Sequence, residues 1–120
     1  MTPSLPTNTF ILWYETKYAK AKEIKLTSVK AKKHRKAVAK WEAAEGVNGY
    51  QLYYKAKGKK AKYAAIDSPD TLQKTVKKLK AKKTYTFMVR TVTEVYNPTA
   101  GATEKVYGQW SNILKAKARK

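Results

Sequence analysis

Cysteine is absent from the 120 residues, which removes disulfides, thiol nucleophiles and thiolate metal sites together. Stability must therefore come from apolar burial and hydrogen-bonded backbone. Histidine occurs once, at His34, inside the basic stretch Lys33-His-Arg-Lys36. A lone imidazole among cations reads as a solvated turn residue rather than a general base. A Ser-His-Asp arrangement would have to pair that ring with Ser28, Ser68 or Ser111, and no spacing recommends it. Acidic residues number only 8, most near predicted turns, whereas a glycosidase holds two carboxylates about 5–10 Å apart across a cleft. Asp67-Ser-Pro-Asp70 is too sparse for a calcium loop, and no glycine-rich phosphate loop occurs. The sequence points away from an enzyme, and no cofactor or metal site is expected.

Long hydrophobic runs are also missing. The most apolar stretch, Phe10-Ile11-Leu12-Trp13-Tyr14, is far too short for a membrane span or the apolar region of a secretory signal, and Met1 to Thr9 lacks a basic leader. Two readings stay open: a piece of a larger protein, or a chain that acts where it is made. Prolines in residues 1–22 argue against a regular start, so that segment is set apart as an N-terminal arm or linker. Within it, Phe10, Ile11, Leu12, Trp13 and Tyr14 could add a strand to another copy or to a protein partner.

Lysine is what the chain has in excess. Lys+Arg number 27, for a formal charge of +19 and a pI near 10.1. A field of that size gathers anions and repels like molecules. Only Arg35, Arg90 and Arg119 are arginine, and lysine is a mobile point charge without the planar fork that reads guanine edges. Attraction is therefore generic. The lysines recur as Lys-Ala-Lys, at Lys20, Lys30, Lys55, Lys60, Lys80 and Lys115, without a fixed long period. Such alternation suits strands with alanine inward and lysine outward. A solvated coat and a selected anion-binding surface both fit this pattern.

Alternation and breakers divide residues 23–120 into strands. The first is expected over 23–32 and the second over 37–42. The third covers 50–57, with Tyr50, Leu52 and Tyr54 inward and Gln51, Tyr53 and Lys55 outward. A short strand over 62–66 and another over 73–79 follow. The next, 84–95, puts Tyr85, Phe87, Val89 and Thr91 on one face and Met88, Arg90 and Val92 on the other. A long loop over 96–104 leads to a last strand over 108–117. The second strand offers only Ala37 and Ala39 inward, which makes for a thin core.

The landmarks Trp41, Gly49-Tyr50, Leu79 six residues before Tyr85, Val89-Arg90 and Trp110-Ser111 together resemble the fibronectin type III domain, in a lysine-rich bacterial form, over roughly residues 24–120. The resemblance implies an all-β, immunoglobulin-like antiparallel β-sandwich of about seven strands with an N-terminal extension. It also implies a core containing Trp41, Tyr50, Leu79, Tyr85, Val89 and Trp110, with Tyr85 bonding back to the preceding backbone. Tyr53, Tyr63, Tyr96 and Tyr107 are left free of that core. Tyr53, Lys55, Lys57, Arg90, Lys115 and Lys117 are the candidate surface for an anionic ligand, combining stacking with charge.

The function expected is a non-catalytic binding or spacer module of a bacterial surface or secreted protein, extracellular or on the cell surface. Its partner would be an anionic polymer or glycan, such as a wall polymer or acidic polysaccharide. Two other classes remain open: a structural subunit of a filament or viral particle assembled through the arm, and a non-specific nucleic-acid-binding protein.

Overall fold

The computed structural model describes residues 24–120, so the expected arm, including Phe10 to Tyr14, lies outside the described residues. Eight strands and no helix are found among them: β1 (Leu26–Lys32), β2 (Lys36–Trp41), β3 (Gly49–Ala56), β4 (Lys62–Ile66), β5 (Gln73–Val76), β6 (Thr84–Asn97), β7 (Ala102–Tyr107) and β8 (Leu114–Lys117). All pairings are antiparallel. One sheet has the order β1-β2-β5, and the other β4-β3-β6-β7, with β8 also on β6.

Period-two patterning explains both faces. Along β3, Tyr50, Leu52 and Ala56 are buried, and along β6 so are Tyr85, Phe87, Val89 and Thr91. These inward sets meet Leu26, Ala37, Ala39, Trp41 and Val76 of the smaller sheet. Ala37 and Ala39 are almost fully buried. Their small side chains leave room for Tyr50, Phe87 and Leu52 from the opposite layer, because a core needs summed volume rather than large residues on every strand. The Trp41 ring lies 5.6 Å from that of Tyr50. The Tyr50 hydroxyl donates to the Pro69 carbonyl at 2.8 Å and accepts the Ala44 N–H at 3.2 Å, which joins the loops after β2 and β4. Tyr85 behaves as expected: the Lys80 N–H donates to its hydroxyl at 2.8 Å. Gly49 is required where β3 meets the end of β4, since a Cβ there would collide with the Ile66 carbonyl oxygen.

Four expectations need correction. First, residues 96–104 are not a long loop. β6 continues to Asn97 and turns through 98–101 into β7, so Thr93–Asn97 pair with Val106–Ala102 beyond the end of β3. Asn97 makes the turn: its side-chain oxygen accepts the Thr99 N–H at 3.0 Å, its carbonyl accepts the Gly101 N–H at 2.9 Å, and Gly101 takes a φ of 68°. Asparagine followed by a left-handed glycine is hairpin chemistry. Second, the last strand expected over 108–117 is confined to β8, because residues 108–113 lie outside the ladder, and the unexpected β7 brings the count to eight. Third, Trp110 is not a core residue. The neighbouring Ser111 points inward, its hydroxyl accepting the Val89 N–H at 2.9 Å, so the adjacent Trp110 faces out. The strand expected over 73–79 likewise stops at Val76, as Lys78 adopts a φ of 60° and Leu79 donates its N–H to the Arg35 carbonyl instead.

Replacing Trp41 with alanine should cost about 3–5 kcal/mol of stability, read as a lowered midpoint in urea unfolding. A midpoint unchanged from the parent protein would contradict its place between the sheets.

Candidate functional site

The register of the larger sheet decides which side chains share its outer face. Tyr53 lies opposite Tyr63 of β4 and Met88 of β6, Gln51 opposite Arg90, and Lys55 opposite Thr86. Lys115 and Lys117 of β8 lie opposite Thr86 and Thr84. The structure therefore brings together Tyr53, Lys55, Lys57 and Lys115, which line an open depression of ≈370 Å³ with Thr84 and Thr86. Lys117 sits one pair beyond it. Arg90 is held apart. Its guanidinium carbon stands 3.8 Å from the centre of the Tyr107 ring and 4.2 Å from that of Trp110, and its Nε donates to Gln51 Oε1 at 2.8 Å. A cation sandwiched between two rings and bonded to an amide is a positioning group, and it orients Trp110.

Trp110 in turn contacts Tyr53 and Tyr63. The ring centres lie 5.7 Å apart for Tyr53–Tyr63, 5.7 Å for Tyr53–Trp110 and 6.4 Å for Tyr63–Trp110. The three rings thus form a triangular aromatic cluster on the outer face, beside the lysine-lined depression. The free status of Tyr63 and Tyr107 was legible from the sequence. The part played by Trp110 was not, although the serine after it carried the parity signal.

On the other side of the β3–β4 turn, Lys59, Lys60, Lys78 and Lys80 surround a second depression of ≈220 Å³ with Tyr54 and Tyr85. Lys60 and Lys80 stand out in the sequence only as Lys-Ala-Lys runs, and the four lysines do not group there because they belong to two turns that only the fold joins. Burial, and then the neighbouring Tyr85, push the Tyr54 hydroxyl above the usual tyrosine range.

The wider charge distribution is strongly polar. Glu42, Glu45, Asp67, Asp70, Glu94 and Glu104, the carboxylates of the described residues, all lie toward the end that holds the β2–β3 loop and the β6–β7 turn. At the opposite end, the β1–β2 turn carries Lys33 and Arg35, the β3–β4 turn Lys57, Lys59 and Lys60, and the β5–β6 connection Lys77, Lys78, Lys80, Lys82 and Lys83. The chain terminus adds Arg119 and Lys120. Backbone bonds tie these segments into one pole: His34 N–H to Lys120 O at 3.0 Å, Leu79 N–H to Arg35 O at 3.1 Å, and Lys82 N–H to Ala118 O at 2.8 Å. His34 lies in its β1–β2 turn, exposed. Among the described residues, no group of three or more His, Cys, Asp or Glu is placed to hold a metal, and no helix is long and apolar enough to cross a membrane.

No family model matches the chain, and no curated protein matches it in sequence. Solved structures do. The chicken CNTN1 FN1–FN3 domains align with a TM-score of 0.62 at 24% identity, covering 78% of this chain and 30% of that one. The FN5 domain of Drosophila Lar aligns with a TM-score of 0.62 at 16% identity, covering 82% and 97%. The fold is that of a fibronectin type III domain. A structure described as a myokine agrees, with a TM-score of 0.63 at 16% identity over 82% of this chain and 98% of its own. Since the chain spans only 30% of the CNTN1 chain, what that longer protein does is no guide to this fibronectin type III fold.

A tyrosine that is harder to ionise in the folded state penalises that state once the unfolded chain begins to ionise. Stability contributed through Tyr54 is therefore intact below the unfolded value of 10.0 and falls as pH rises through and above it. The loss of stability between pH about 9 and 11 should be shallower in Tyr54→Phe than in the parent, measured by urea unfolding at each pH. Identical slopes would refute the assignment.

Proposed function

We propose that this fibronectin type III fold is a non-catalytic binding module of a bacterial surface or secreted protein, and that it takes anionic polymers at its basic pole. The observation that supports this best is the segregation of charge. A solvated coat that served only solubility would intersperse both signs, as soluble surfaces commonly do. Here, among the described residues, four chain segments deliver cations to one end and no Asp or Glu side chain accompanies them. Crowded like charges raise the folding free energy, and an anionic ligand relieves that repulsion. The ligand is a polymer rather than a small ion because the lysines are spread over two depressions on either side of the β3–β4 turn. A repeating charge can engage both. Lysine rather than arginine supplies the contacts, so recognition depends on charge density and salt, not on bidentate reading of one group.

The test compares two triple charge reversals of equal net change. Lys57→Glu, Lys59→Glu and Lys115→Glu together should weaken binding to an anionic polysaccharide about 10- to 100-fold at low salt. Lys25→Glu, Lys74→Glu and Lys105→Glu together, distant from the pole, should change it by about threefold or less. Equal losses in the two variants would mean that total charge alone governs attraction, and the pole would have no special role.

A further inference from the structure

The aromatic cluster beside the pole narrows the class of polymer. Tyr63 lies on the edge strand β4 and leaves 56% of its surface exposed, yet its ring is packed against Tyr53 and Trp110. Trp110 is fixed from its other side by the Arg90 guanidinium, which Tyr107 and Gln51 hold in place. The cluster is therefore preorganised, and its order does not depend on a ligand. Rigid aromatic side chains with a few polar groups beside them are the usual make-up of a binding surface. Tyr53 belongs to both features: it closes one side of the ≈370 Å³ depression that Lys55, Lys57, Lys115, Thr84 and Thr86 complete.

We infer that this face binds an acidic polysaccharide, with a sugar ring packing against Tyr63 and Trp110 while carboxylates on the chain reach Lys55, Lys57 and Lys115. The inference rests on the anionic-polymer reading and names the polymer. A sugar ring has an apolar C–H face that packs on aromatic carbon and hydroxyls at its rim. The Thr84 and Thr86 hydroxyls in the depression can each donate and accept a hydrogen bond to such groups. Single-stranded nucleic acid fits less well. Base stacking uses flat exposed ring faces, often with arginine beside them. Here the arginine of this face is already held against the Tyr107 and Trp110 rings.

The experiment titrates the full chain with an alginate oligosaccharide, an inorganic polyphosphate of matched charge and oligo-dT, for the parent, Tyr63→Ala and Tyr63→Phe. Tyr63→Ala should lower alginate affinity about three- to tenfold, leave polyphosphate affinity unchanged, and be rescued by Tyr63→Phe. Tyr63 is exposed on an edge strand, and a thermal melt of each variant checks that the fold is kept. No change with alginate, or the same change with polyphosphate, overturns the polysaccharide inference while leaving the basic pole intact. A larger loss for oligo-dT than for alginate overturns it in favour of nucleic acid. Binding of none of the three by the parent protein overturns both the inference and the reading beneath it.

Discussion

The pairing of β3 with β6, with Leu52 opposite Val89 and Gln51 opposite Arg90, is the constraint on which both faces of the larger sheet depend. Side chains alternate strictly along a strand, so a slip of one residue would carry Tyr50, Leu52, Phe87 and Val89 into water and Tyr53, Lys55 and Arg90 into the core. No intermediate arrangement satisfies both sets. Burial of the first set therefore also orders the second: the aromatic cluster and the lysine-lined depression are displayed because their neighbours in sequence are buried. Gly49 and the Tyr50 hydroxyl secure the far end of the same strand, one through close approach to Ile66 and the other through bonds to Ala44 and Pro69.

The basic pole shows the opposing tendency. Among the described residues, lysines crowd there without Asp or Glu side chains, and the backbone is also strained: the non-glycine positive-φ residues His34, Arg35, Lys78 and Lys82 all lie at this end. A left-handed conformation costs a residue with a side chain about 1–2 kcal/mol. Local bonding offsets it. Leu79 is buried and bonded to Arg35, Tyr85 caps Lys80, and Lys82 is bonded to Ala118. Charge repulsion and backbone strain thus coincide where apolar anchors and tertiary hydrogen bonds hold the turns together. Strain concentrated at one surface accords with a binding role for that surface.

Much of the sandwich was legible along the chain. The alternation in 50–57 and 84–95 located β3 and most of β6 with the correct face inward, and the Leu79–Tyr85 spacing announced the tyrosine that bonds back to Lys80. The Lys-Ala runs within the described residues place lysine in solvent as expected. The β6–β7 hairpin was missed because Asn97-Pro-Thr-Ala-Gly101 was read together with its flanks as one loop, although β6 simply outruns its other neighbour. Trp110 was misplaced because tryptophan is usually buried, and its parity is set by Ser111, whose hydroxyl is taken by a backbone N–H on another strand.

The sequence by itself determined the class of fold and which side chains of each strand face inward, because period-two patterning and turn chemistry act between near neighbours. It also determined the net charge and its make-up in lysine. Only the tertiary structure decided where that charge is concentrated and which aromatics meet. Lys57, Lys80 and Lys115 are remote in sequence, and so are Tyr53, Tyr63 and Trp110. Their proximity follows from strand order and register, which long-range pairing of buried faces establishes and no local pattern encodes.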